Sequence, residues 1–123
     1  MSFISRSPKL LWTSHARAKM AYYRLSEQRV RSVLHSPKRI EEGVAPKTVA
    51  VMAPASKKFI VLKDGGVRKE TWSQEIWVMV QDAPTGRKII SAWRYPGVSK
   101  VRGEISGIMK NEYRSYISRS GKQ

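Results

Sequence analysis

The sequence predicts an α+β fold: two N-terminal helices packed on an antiparallel sheet of about 4–5 strands, plus a C-terminal helix. Two observations lead to this prediction. Apolar residues recur at helical spacing in residues 13–36 and again in 105–117, whereas residues 39–95 are short β-branched and aromatic runs separated by turn residues. Because helices and strands are grouped along the chain instead of alternating, a parallel α/β sheet is disfavoured.

The first helix follows a lead-in, residues 1–12, which contains a short edge strand at 9–12. Thr13 or Ser14 is a good N-cap, so the helix should begin there and run to about residue 23. The residues of its apolar face recur at i, i+4 and i+7: Ala16, Met20 and Tyr23. This face should lie against the sheet.

The second helix starts almost at once, because Ser26 is another good N-cap and Glu27 suits the positive end of the helix dipole. Ser36 and Pro37 end it. Its apolar stripe consists of Val30, Val33 and Leu34. The two helices should therefore form a tight pair with little loop between them.

Three short strands are predicted next, at residues 39–42, 48–52 and 58–63. Turn residues close each of them: Gly43, Pro54 and the Asp-Gly-Gly of residues 64–66. An alternative for residues 57–73 is one long, mobile hairpin. The sequence leaves both arrangements open.

Residues 75–95 form the strongest strand pattern, a β-hairpin around the turn residues 82–86. In the first strand, one face carries Ile76, Val78 and Val80, and the other Trp77 and Met79. In the second, Ile89, Ser91, Trp93 and Tyr95 alternate with Ile90, Ala92 and Arg94. Because both strands are apolar on both faces, they should be antiparallel neighbours in the sheet interior.

The C-terminal part, residues 98–123, should be a basic linker and a helix over 105–117, attached to a core of about 9–97 in a single domain of 1–123. The helix gathers its large apolar residues roughly on one side: Ile105, Ile108, Met109, Tyr113, Tyr116 and Ile117. Such a stripe needs cover. It should pack on this domain's sheet, on that of a partner, or on that of a second copy, which would make a homodimer.

The charge of the chain points to a polyanionic partner. Lys and Arg number 24 against 9 acids, which gives a net charge of +15, and nucleic acid is the default partner for such an excess. RNA or the ribosome is favoured, because no DNA recognition helix stands out, although an acidic protein is an alternative. No apolar run is long enough for a membrane span. Without cysteine or a secretory signal, the chain fits a cytoplasmic protein.

Two blocks of the sequence carry a family resemblance. The helix block is Thr-Ser-His-Ala-Arg-Ala-Lys-Met at residues 13–20, and the strand block is Lys-Ile-Ile-Ser-Ala-Trp-Arg at residues 88–94. They resemble a small prokaryotic domain family that opens with a His-Ala-Arg-x-Arg-Met helix. That family is placed with the BrnT and RelE type toxins, in the fold shared by barnase, EndoU and colicin nucleases. Lys19 departs from its pattern, since it keeps the charge of the second arginine but loses the guanidinium fork.

The resemblance covers about residues 9–97 and implies a metal-independent endoribonuclease toxin of the mRNA interferase type, paired with an acidic antitoxin. Such cleavage needs a base, an acid and cations around the phosphate. His15 is the leading base or acid, because histidine is the side chain that can give and take a proton near neutral pH. Arg94 and Tyr95 end the central strand and would meet His15 if the first helix crosses that end. Arg94 would then clamp a phosphate bidentately.

Each of these candidates has a structural alternative. His15 is also suited to packing or capping at a helix start, and Arg94 to an ion pair with an acid such as Glu75. The predicted RNA contacts are four further cations: Arg17, Lys19, Arg24 and Lys88. No metal or cofactor is expected, because the chain has two histidines, no cysteine and no phosphate loop. The alternative function is a non-catalytic RNA- or ribosome-binding module on the same fold.

Overall fold

A computed structural model describes residues 8–61, 63–66, 68–101 and 103–120. Most of the predicted lead-in, residues 1–7, lies outside the described residues. The elements in chain order are β1 (Leu10–Trp12), α1 (Ser14–Tyr23), α2 (Glu27–His35), β2 (Arg39–Glu42), β3 (Thr48–Pro54), β4 (Lys58–Val61), β5 (Arg68–Thr71), β6 (Gln74–Ala83), β7 (Gly86–Pro96) and α3 (Glu104–Ser120). The predicted α+β fold, with its two N-terminal helices and its C-terminal helix, is confirmed.

The main sheet has five strands in the order β1-β7-β6-β3-β2. β6 and β7 are antiparallel neighbours in its interior, as predicted. The sheet is mixed and not purely antiparallel, because the edge strand β1 runs parallel to β7. No hairpin joins these two strands, which are far apart in the chain, so nothing local requires them to be antiparallel.

A β-bulge on β7 alters the predicted faces of that strand. The pairing of β6 with β7 shifts register between Met79 and Val80, so that Ile90 has no opposite residue. An extra residue of this kind interrupts the alternation of side chains. The prediction that Ile89 shares a face with Ser91 is therefore wrong. Ile89 packs with Ala92 beneath α1 and α2, while the hydroxyl of Ser91 reaches α3 on the other face.

The helices cover both faces of the sheet. On one face, α1 and α2 pack on the sheet. The helix residues buried there are Ala16, Met20, Val30, Val33 and Leu34, and those of β6 are Ile76, Val78 and Val80. On the other face, α3 packs on the aromatic side of the hairpin. Ile105, Met109 and Tyr116 of the helix are buried there with Trp77, Met79 and Trp93 of the hairpin. Both predicted N-caps are confirmed, since Thr13 accepts a hydrogen bond from the backbone of Ala16 and Ser26 from that of Arg29.

α3 packs on its own domain, which is one of the three arrangements predicted for it. Ile105 and Met109 are buried, but Ile117 is 47% exposed, so the predicted stripe is covered only in part. No helix in the described part of the chain is long and apolar enough to cross a membrane.

β4 and β5 form a separate two-stranded antiparallel sheet. The hairpin alternative for residues 57–73 is therefore the one that the structure adopts, and we call β4 with β5 the arm. All four residues of β4 are exposed. The apolar ones are Phe59, Ile60 and Val61, at 54%, 49% and 65% exposure. Exposed apolar residues on a ribbon of this kind need a functional or packing reason.

Candidate functional site

His15 lies in the first turn of α1, directly after the N-cap segment that begins at Thr13, and it is only 6% exposed. Its Nε2 lies 2.9 Å from Oε1 of Glu112 on α3. The same carboxylate binds the ammonium group of Lys19 at 3.0 Å and accepts a hydrogen bond from the hydroxyl of Ser91. Side chains from α1, β7 and α3 thus meet in one polar group, the Glu112 cluster, composed of His15, Lys19, Ser91 and Glu112.

Burial raises the pKa of the Glu112 carboxyl, but hydrogen bonds from Ser91, His15 and Lys19 outweigh it and hold the pKa below the ordinary 4.5. Glu112 is therefore ionised at neutral pH. A carboxylate beside a histidine is the arrangement that orients a general base. However, His15 Nδ1 is buried and has no hydrogen-bond partner among the described residues. That nitrogen does not face solvent from which a substrate could approach.

Arg94 has a structural role at the opposite end of α1. Its Nε donates to the carbonyl of Tyr23 at 2.8 Å, and its guanidinium also reaches Gln74 at 3.0 Å and the carbonyl of Arg24 at 3.5 Å. Arginines often satisfy the last carbonyls of a helix in this way. The contacts of Arg94 therefore do not include the ion pair with Glu75 that the sequence suggested, and its role as a phosphate clamp stays a prediction.

The predicted shared cleft of His15 and Arg94 does not form. His15 is engaged at the start of α1 and Arg94 at its end, eight residues later, or about 12 Å along the axis. The expectation that the two side chains converge on one phosphate is therefore wrong. Lys19 does join His15, because the two lie one turn apart on α1 and share Glu112.

The other predicted contacts are scattered over the molecule. Tyr95 donates to Glu104, and this hydrogen bond, with burial and the charge of Glu104, raises the pKa of Tyr95. Arg17 pairs with Glu27 at 3.0 Å, and Arg24 is exposed in a left-handed conformation at the end of α1. Lys88 is half-buried on β7. The described residues contain no group of acidic and histidine side chains that could hold a metal ion.

A basic groove lies between α2 and the segment after β3, where the sequence indicated no site. Its volume is about 550 Å³, and its cations are Arg29, Lys38 and Lys57. Three serines also line it: Ser32, Ser36 and Ser56. Lys38 and Lys57 both pair with Glu70 of β5, the latter at 3.7 Å. Three cations against one carboxylate leave the basic groove locally positive.

Aromatic residues lie beside the basic groove. Phe59 is directly opposite Glu70 in the arm, so both side chains are on the same face of the ribbon. The ammonium group of Lys38 lies 5.7 Å from the ring centre of Trp72, a cation–π distance. The arm therefore carries the ring of Phe59 on the same face as Glu70, the residue that pairs with Lys38 and Lys57.

Comparison with known proteins gave no relative: no model of a protein family matches the chain, and no curated protein or solved structure is significantly similar to it. The resemblance to RelE and BrnT type toxins therefore stays a prediction from two blocks of sequence. What the chain does has to follow from its own charge and geometry.

Proposed function

We propose that this protein is a non-catalytic RNA-binding module. The observation that carries the proposal is the net charge of +15 combined with the burial of acids. Glu75 is fully buried and the side chain of Glu112 is only 13% exposed, whereas cations such as Arg24, Lys47 and Lys57 are exposed. The surface is thus more positive than the total suggests, which favours phosphate contacts that release counterions.

The state of the predicted catalytic residues supports binding over catalysis. His15 is nearly buried and bound to Glu112, and the guanidinium of Arg94 donates to two main-chain carbonyls and to Gln74. A general base must come within hydrogen-bond reach of the proton it removes. Binding by the remaining exposed cations has no such requirement. RNA or the ribosome would be the partner, in the cytoplasm.

RNA binding should weaken steeply with salt. For single strands, the logarithm of the association constant should fall by about 0.7 per phosphate contact for each unit in the logarithm of salt concentration. Fluorescence anisotropy with a labelled single-stranded RNA measures this slope, and an uncharged methylphosphonate oligonucleotide of the same sequence is the control that should not bind. A flat salt response, or no binding at low salt, contradicts the proposal.

The second candidate function is the endoribonuclease toxin, because a carboxylate, a histidine and a lysine do meet in the Glu112 cluster. On this proposal, labelled RNA should be cut either alone in the presence of EDTA or on intact ribosomes in a buffer with Mg²⁺, and an acidic antitoxin should block cutting. His15→Ala should lower the rate by about two to four orders of magnitude, while the matched change His35→Ala leaves it unchanged. Intact RNA after incubation with the wild-type protein removes this candidate.

A further inference from the structure

We propose that the basic groove and the arm together form a binding site for single-stranded RNA, with phosphate in the groove and a base on Phe59. The inference rests on the proposed RNA binding and names the surface and the form of RNA that it takes. It follows from three features of the described residues: converging cations, hydroxyl donors and an exposed aromatic ring.

The cations already converge on an anion. Lys38 precedes β2 and Lys57 follows β3, yet both direct their ammonium groups to the single carboxylate of Glu70. A phosphate of the RNA backbone carries one negative charge, as a carboxylate does, so it can take the place of Glu70 as their partner. Arg29 lies in the same groove, where one guanidinium nitrogen donates to the carbonyl of Ala55. Its other nitrogens remain suited to a phosphate oxygen.

The size and polarity of the basic groove suit part of a nucleotide chain. Its volume of about 550 Å³ lies within the range of small-molecule sites. Ser32, Ser36 and Ser56 line it, and the serine hydroxyl is a common donor to phosphate and sugar oxygens in nucleic-acid complexes. The basic groove therefore offers both charge and hydrogen bonds to a backbone.

The arm favours single-stranded RNA over duplex RNA as the ligand. Phe59 is 54% exposed and shares the face of Glu70, which the groove lysines bind. Bases of a single strand stack on aromatic rings, whereas those of a duplex are already stacked on each other. Each strand of the arm has four residues, or about 13 Å of length, so the arm is long enough to lie along the bound strand.

The phosphate contacts are tested with two double variants that remove the same charge. Lys38→Gln/Lys57→Gln changes the basic groove, and Lys110→Gln/Arg114→Gln changes exposed cations on α3. The magnitude of the salt slope should decrease by about 1.4 in the first variant, because two contacts of about 0.7 each are lost. In the second variant the slope should equal that of the wild type. Equal losses of salt slope in both variants overturn the inference about this site but not the proposed RNA binding of the protein. A wild-type protein that does not bind RNA overturns both.

Two single variants test the roles of the arm. Phe59→Ala should lower the affinity for single-stranded RNA about tenfold and leave the weak affinity for duplex RNA unchanged. Ile60→Ala, on the other face of the arm, should change neither affinity. Glu70→Gln should strengthen binding, because it releases both lysines. Melting curves verify that each variant is folded, as expected for positions at the surface. Equal effects of Phe59→Ala and Ile60→Ala, or a preference for duplex RNA, contradict the stacking role.

Discussion

Replacing Glu75 by glutamine is expected to lower the free energy of unfolding by about 3 kcal/mol. Glu75 is fully buried, and each of its carboxylate oxygens accepts two hydrogen bonds. Oε1 accepts from Trp77 Nε1 at 2.9 Å and Ser99 Oγ at 2.6 Å, and Oε2 from Trp72 Nε1 at 2.9 Å and the Ser99 amide at 3.0 Å. Glutamine must turn its NH₂ group toward one of these donor pairs, which leaves buried donors without an acceptor.

The same residue should make the protein sensitive to acid. Burial raises the pKa of Glu75, but hydrogen bonds from Ser99, Trp72 and Trp77 outweigh it, and the pKa in the folded protein lies below the ordinary 4.5. A carboxyl whose pKa is lower in the folded state stabilises the fold above its unfolded pKa. That stability is lost as the pH falls through the folded value.

Urea denaturation of Glu75→Gln, at neutral pH and at pH values below 4.5, measures both effects. Glu42→Gln is the matched control, because Glu42 is exposed on β2 and its replacement should change stability by less than about 0.5 kcal/mol. The loss in Glu75→Gln should shrink toward acid pH, where the wild-type carboxyl is protonated as well. Similar neutral-pH stabilities of the two variants would show that Glu75 is not needed for the fold.

Glu112→Ala should be the second most damaging change, with a loss of about 2 kcal/mol, because it leaves Lys19, His15 and Ser91 without their common acceptor. The Glu112 cluster ties α3 to α1 and β7. Its loss should loosen α3 and admit water to Trp93, which is 2% exposed beneath that helix.

Urea denaturation followed by tryptophan fluorescence tests this second expectation, since a native spectrum that is red-shifted from the wild type reports exposure of the tryptophans that α3 covers, Trp77 and Trp93. Glu104→Ala is the control on the same helix. Glu104 is exposed and bonds Tyr95, so a much smaller loss and no spectral shift are expected. If the two alanine variants behave alike, the Glu112 cluster does not hold α3 in place.

Much of the local structure was predictable, because it depends on residues within one turn of each other. Thr13 and Ser26 cap their helices through backbone groups three residues later, and this spacing is visible in the sequence. The alternation of Ile76, Trp77 and Val78 likewise assigned the faces of β6 correctly. The bulge at Ile90 was not predictable, because it depends on the register between two strands.

The single sequence determined that this is a basic α+β chain with capped N-terminal helices and a central hairpin. Only the tertiary structure decided which side chains meet. His15 meets a partner 97 positions away and Arg94 one 71 positions away, while the basic groove joins Lys38 and Lys57 through Glu70. Glu112 was foreseeable in part, since it continues the buried helical spacing of Ile105, Met109 and Tyr116. Its partners were not, because contacts between distant side chains depend on how whole elements pack against one another.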